Sequence, residues 1–168
     1  HVDLPRQLVA ACRVSGAKRV VHVSALGAGA DAPSHYLRSK AAGESVLRAA
    51  GLDLTLLRPS VIFGAHDRFL NLFARLQAMA PVMPLAGATA QFQPVWVEDV
   101  AAAIVSALDE PTSIGQTVEC GGPGVYTLEQ LVRFAGRCAG HERPVIPLPD
   151  GIARLQATVM GWLPGEPL

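Results

Sequence analysis

The sequence predicts an α/β protein whose strands form a parallel sheet, and two observations carry that expectation. Short apolar, β-branched runs alternate with amphipathic stretches of about 10–15 residues, the pattern of βαβ units. Later in the chain the strands shorten and lie among Pro- and Gly-rich loops, which predicts a smaller lobe set on that sheet. Half of the 168 residues are hydrophobic and only 17% are charged, so a sizeable core can form and a disordered tail is excluded.

The elements follow in order. Leu4-Pro5 opens a helix with Leu8, Val9, Ala11 and Cys12 on one side, and Gly16 ends it. Arg19 to Ser24 (RVVHVS) is a β-branched run and reads as a strand. Ser34 is a good N-cap for a helix from His35 to about Ala50, stopped by Gly51. Asp53 to Arg58 (DLTLLR) is the next strand, ended by Pro59. Asp67 can cap a helix whose Phe69, Leu70, Leu72, Phe73, Leu76 and Met79 form one buried face. Phe92 to Val97 is short and extended, and Glu98-Asp99 open a helix with Val100, Ala103, Ile104, Ala107 and Leu108. Gln116 to Glu119 reads as a strand before Gly121-Gly122-Pro123. Thr127 and Gln130 form a capping box for a helix ending near Gly140. Val145-Ile146 is extended, and Asp150 can cap a last helix from about Ile152 to Leu163.

Composition narrows the function. Formal net charge is zero, so neither a basic surplus for nucleic acid nor an acidic solvated tail is present. The cysteines at 12, 120 and 138 are odd in number, far apart and without a CxxC pair, which favours a reducing compartment over disulfides or zinc. No His/Cys/Asp/Glu set has metal-ligand spacing. The apolar stretches are interrupted too often for a membrane span, and no signal peptide is visible. The chain starts at His1 and runs straight into a helix, so upstream sequence is expected to be missing. Leu168, just after Gly165-Glu166-Pro167, reads as a second truncation.

The chemistry-bearing residues cluster in three places: Ser24, then Tyr36 to Lys40, then Arg58-Pro59-Ser60. Tyr36 and Lys40 stand four apart on one helix and share a face. An ammonium near a phenol favours the phenolate, which suits a tyrosine that exchanges protons during carbonyl reduction or alcohol oxidation. The same lysine can donate to a ribose. Tyr-x-x-x-Lys also occurs by chance on many helices. Here it lies between a strand ending in Ser24 and one ending at Arg58-Pro59, and the carboxyl ends of such strands are where open α/β sheets bind ligands.

VVHVSALGA, YLRSKAAGE, LDLTLLRPSVIFG and FQPVWVEDVAAAI together resemble the later part of an extended or atypical short-chain dehydrogenase/reductase. More narrowly, the chain is similar to the branch around the nucleotide-binding accessory subunit of respiratory complex I and its bacterial, NAD-dependent epimerase/dehydratase-like relatives. DRFLNLFARL (67–76) and GPGVYTLEQL (122–131) fit as well, so the resemblance covers nearly the whole chain. It implies the C-terminal part of a Rossmann-type doubly wound parallel sheet with a small α/β substrate-side lobe. Residues 1–66 would be the second half of the NAD(P)-binding domain. Residues 67–168 would be the substrate-side lobe with two late elements of the sheet, helix 98–109 and strand 116–120.

The resemblance further implies that Tyr36 and Lys40 are the active-site pair, with Ser24 beside the nicotinamide. Arg58, Pro59, Ser60, Val61 and Phe63 would form the loop passing the nicotinamide ring. Arg68, Phe69, Gln93 and Trp96 would border the substrate, and serve equally well as packing or surface residues. The cofactor would be NAD or NADP. Partners would be a small-molecule substrate or a quinone-oxidoreductase complex, with no nucleic acid. The expected location is the bacterial cytoplasm, either free or peripheral at the inner membrane.

Two features depart from that family. Its catalytic members carry Ser or Thr after the position of Ser24, whereas Ala25 has no hydroxyl to polarise a carbonyl. The Ser24–Tyr36 spacing is also short for a nucleotide-sugar enzyme. No dinucleotide fingerprint is present: Gly27 to Ala32 fits G-x-G-x-x-A, but Pro33 follows and no helix starts there, while Pro123 removes a needed N–H from Gly121 to Gly124. The fingerprint is expected upstream of His1. Two function classes lead: a Tyr-Lys oxidoreductase or epimerase, and a non-catalytic dinucleotide-binding accessory or assembly subunit; an RNA- or regulator-binding sensor on the same fold is a weaker third, and the absence of a basic stripe argues against RNA. His22 reads as a core histidine, and Cys12 and Cys138 as small hydrophobes.

Overall fold

A computed structural model describes residues 1–148; the expected helix at 152–163 lies outside them. In chain order the elements are α1 (Asp3–Ser15), β1 (Arg19–Val23), α2 (His35–Arg48), β2 (Asp53–Pro59), β3 (Ile62–Phe63) and α3 (Leu70–Met79). Then follow β4 (Met83–Ala86), β5 (Gln91–Phe92), β6 (Val95–Trp96), α4 (Val97–Asp109), β7 (Thr117–Cys120), β8 (Tyr126–Thr127), α5 (Leu128–Cys138) and β9 (Val145–Leu148). The chain divides into two compact units. The first comprises 1–62 and 95–122, the second 63–94 with 123 onward. The stretch 95–122 therefore belongs with the sheet of the first unit, although it follows the lobe in sequence.

In the first unit β1, β2 and β7 form a parallel sheet in that order. Val20 pairs with Leu54, His22 with Leu56, and Leu56 with Thr117. The central strand is covered on both faces, so Leu54, Thr55, Leu56 and Leu57 are all buried. On one face α1 and α2 bring Val9, Cys12 and Leu47 onto Val20, Leu54 and Leu56. Side chains such as Leu47 and Leu56, fully buried, contribute about 1.5–3 kcal/mol each. Gly43 permits the approach of the two helices: a Cβ there would lie 2.7 Å from the His1 carbonyl oxygen. On the other face Arg19 joins both strands to α4. It donates to the Asp53 carbonyl (2.7 Å), Thr55 Oγ1 (2.9 Å), Ser113 Oγ (2.7 Å) and the Ala107 carbonyl near the helix C-terminus.

In the second unit β4 pairs with β9 in parallel and β5 with β8 antiparallel. Met83, Leu85, Ala88 and Val132 make its core, with Phe73, Leu128 and Val145 packed against them. Asp67 caps α3 as expected, its Oδ1 accepting from the Phe69 (2.8 Å) and Leu70 (2.6 Å) amides. The Thr127–Gln130 capping box is present in full at the start of α5. The contact of α3 with α5 is polar at its centre. Gln77 has no exposed surface; it donates to the Val132 carbonyl (2.8 Å) and accepts from the Arg143 amide (3.1 Å). Its amide lies against Gly136, where a Cβ would approach Gln77 Cδ to 2.7 Å.

Candidate functional site

The strands of the first unit end together. Backbone hydrogen bonds run from Ser24 N to Leu57 O (2.7 Å), Leu26 N to Pro59 O (2.9 Å) and Ser60 N to Cys120 O (2.9 Å). Ser24 and the segment Pro59–Val61 are thus stitched side by side at the carboxyl end of the sheet. Pro59 is the last residue of β2 rather than a residue beyond it, because its carbonyl still serves as an acceptor and only its N–H is missing. Ser34 caps the following helix through Leu37 N (3.1 Å), and Arg38 ties the preceding loop by donating to the Ala32 carbonyl (2.6 Å). The Gly27–Ala32 run forms two turns, closed by Ala28 N to Ala25 O and Ala32 N to Gly29 O, and no helix begins in it.

Tyr36, Lys40, Glu44 and Arg48 recur every four residues along α2. Tyr36 is half exposed, and the His1 ring meets it edge-on with centroids 5.2 Å apart. Lys40 reaches down to the end of β1, its Nζ donating to the Val23 carbonyl at 3.1 Å. Burial holds the Lys40 ammonium below its ordinary pKa, against the opposing charge of Glu44. Next on the stripe, the nearly fully buried Glu44 takes a two-pronged bridge from Arg58: Nε to Oε1 at 2.9 Å and an Nη to Oε2 at 2.6 Å. Burial alone would raise the Glu44 pKa. The hydrogen bonds from Arg58, the nearby Ser24 hydroxyl and the charges of Arg58 and Arg48 outweigh it and hold the carboxyl below its ordinary value. Arg48 closes the stripe on Thr117 Oγ1 at 2.7 Å. His22 lies among these charges. Burial, and then the Lys40 ammonium, lower its pKa.

Ser24, Tyr36, Lys40, Arg58, Pro59, Ser60 and Val61 all lie in the first unit, whereas Phe63 belongs to the second. Arg58 directs its guanidinium to Glu44, so it fastens α2 to the sheet. Arg68, Phe69 and Gln93 are in the second unit, where Phe69 packs on Phe73 and Phe92; Trp96 is in the first. Sequence reading missed Glu44, though its spacing of four from Lys40 was visible, and missed Arg19, whose partners are dispersed along the chain.

Ser24 Oγ bears on whether a nicotinamide dinucleotide fits. It is buried and, among the described residues, has no hydrogen-bond partner at bonding geometry. The Glu44 carboxylate feels this hydroxyl without accepting a hydrogen bond from it. A buried hydroxyl left in this state is open to a hydrogen-bond partner from a bound molecule. An orphaned hydroxyl beside a lysine with further N–H donors suits the amide-and-ribose end of such a cofactor. No group of three or more His, Cys, Asp or Glu residues could hold a metal among the described residues.

A sequence profile described as NAD dependent epimerase/dehydratase family matches residues 1–121. NADH dehydrogenase (ubiquinone) 1 alpha subcomplex subunit 9, mitochondrial, of Mus musculus is 36% identical over 168 residues, 99% of this chain and 44% of that protein. Ceramide reductase of Caulobacter vibrioides is 35% identical over 95% of this chain and 50% of its own. The chain thus spans half or less of the length of these two relatives. The crystal structure of Thermus thermophilus UDP-glucose 4-epimerase complexed with NAD superposes with a TM-score of 0.68 and 22% identity, covering 98% of this chain and 64% of that one. At that identity the likeness is one of fold. No helix among the described residues is long and apolar enough to cross a membrane.

Proposed function

From its membership of the NAD-dependent epimerase/dehydratase family, to which this chain belongs, we propose that the full-length protein binds NAD or NADP and uses Tyr36 and Lys40 on a carbon bearing oxygen. The observation that carries this is the buried, unpartnered Ser24 Oγ at the strand end where Lys40 also arrives. Residues 1–66, with α4 and β7, would form part of the dinucleotide-binding sheet. Ser24 would donate to or accept from the carboxamide end, Lys40 would donate to the ribose, and Pro59 to Val61 would pass along the ring. A bound nicotinamide would supply or accept the hydride. Tyr36 would carry the proton to or from the substrate oxygen, its half-exposed phenol being open to a substrate. Lys40, already anchored on Val23 O, is pre-positioned and costs little further ordering on binding.

Ala25 and the mouse relative favour a second reading, in which the dinucleotide is structural and the protein is an accessory or assembly subunit of a quinone oxidoreductase. On either reading we propose a location in the bacterial cytoplasm, free or peripheral at the inner membrane. The test is a titration of the full-length protein with NAD(H) and NADP(H), following nicotinamide fluorescence, repeated with Tyr36→Phe. Loss of turnover by about 10²-fold or more with binding kept supports the enzyme. Unchanged function with binding kept supports the accessory subunit. No binding at millimolar cofactor overturns both.

A further inference from the structure

The second unit holds a cavity of about 430 Å³ that the chemistry above does not use. Its volume falls in the range of about 300–1,000 Å³ typical of small-molecule sites. Phe63, Leu70, Pro94, Leu131 and Phe134 form its wall. The chain leaves two aromatics there about half exposed: Phe134 is 48% and Tyr126 45% exposed. Gly124 makes room for the Tyr126 ring. A Cβ there would lie 2.7 Å from the Tyr126 hydroxyl oxygen, although the Gly124 backbone does not require glycine. The polar lining is slight and already engaged. Gln130 Oε1 accepts from the Thr127 amide (2.8 Å) in the capping box. Arg137, the single charged lining residue, is paired with Glu142 at 3.3 Å.

We propose that this cavity binds the apolar chain of an uncharged lipid, with the lipid's polar end toward Tyr126 and Arg137. Burying hydrocarbon against these walls is favourable by about 25 cal/mol per Å². A nucleotide sugar would instead bring a diphosphate and several hydroxyls to a wall that offers one cation, already neutralised, and few donors. The inference goes beyond the proposed cofactor chemistry and does not depend on it, because every lining residue lies in the second unit.

The test uses the full-length protein without nicotinamide. An NBD-labelled medium-chain monoacylglycerol is titrated below its critical micelle concentration, with UDP-glucose as competitor. The expected result is saturable binding, weakened at least tenfold by Phe134→Gln and by Leu70→Gln, and unaffected by millimolar UDP-glucose. Phe134 is half exposed, so F134Q should keep the wild-type circular dichroism and urea midpoint. Non-saturable fluorescence, equal affinity in a folded F134Q variant, or displacement by UDP-glucose would each overturn the proposal. So would sedimentation showing that F134Q merely splits a dimer while the probe never binds. NAD(H) titration of F134Q should match wild type, which separates failure here from failure of the cofactor reading.

Discussion

Glu44 carries its charge in a place where water cannot solvate it. A buried carboxylate is tolerated only when its partners replace water, and Arg58 does so with two hydrogen bonds of 2.9 and 2.6 Å. Glu44→Gln keeps the shape but removes the charge that Arg58 answers. The expected cost is about 3 kcal/mol in urea unfolding at pH 7, the usual price of stranding one member of a buried pair. The acid dependence has a definite sign. The folded carboxyl lies below its ordinary value of 4.5, so the stability it adds is complete above 4.5 and lost as pH falls through the folded value. Wild type and E44Q should therefore converge in acid. A gap that stays constant from pH 7 to pH 3 would contradict the assignment.

Between α3 and α5 the decisive contact is a missing methyl group. Gln77 sits in the space that a Gly136 side chain would occupy, and its amide is held on both sides by backbone. Gly136→Ala should cost about 1–3 kcal/mol despite the better helix propensity of alanine, since the buried amide has nowhere to go. Gln77→Ala combined with it should cost less than the two single changes added. A thermal melt of G136A equal to wild type would refute this packing. Such a contact is hard to read from sequence, because Gln77 and Gly136 are far apart in the chain and neither is apolar. What was legible was local: the Ser34, Asp67 and Thr127 caps, the β-branched runs of β1 and β2, and the glycine stops. The two-residue strands β3, β5, β6 and β8 were not separately legible, because they are too short for period-two patterning. β4 was missed because Pro84 interrupts its run. At the candidate site, Tyr36, Lys40 and Ser24 stand out by order and spacing as candidates, whereas the use of Arg58 as a clamp depends on α2 bringing Glu44 to β2.

Over the whole molecule, two titrations, of half-buried His22 and buried Glu44, act in the same direction in different windows. His22 is held below its ordinary value of 6.5, so the folded state resists a proton that the unfolded chain accepts. Stability should fall as pH drops from 6.5 toward the folded value, well before Glu44 begins to protonate. A lower urea midpoint at pH 5.5 than at pH 7.5, flattened in His22→Gln, is the expected outcome; identical midpoints in wild type would argue against it. The four-residue stripe of α2 has a consequence of another kind. Its exposed end, Tyr36, meets the His1 ring, while its inner end, Glu44 and Arg48, clamps helix to sheet. Selection can therefore act on the two ends separately. A lineage that drops the phenol keeps its architecture, so if Tyr36 carries the chemistry proposed above, that chemistry can be lost or regained by a single substitution at the surface.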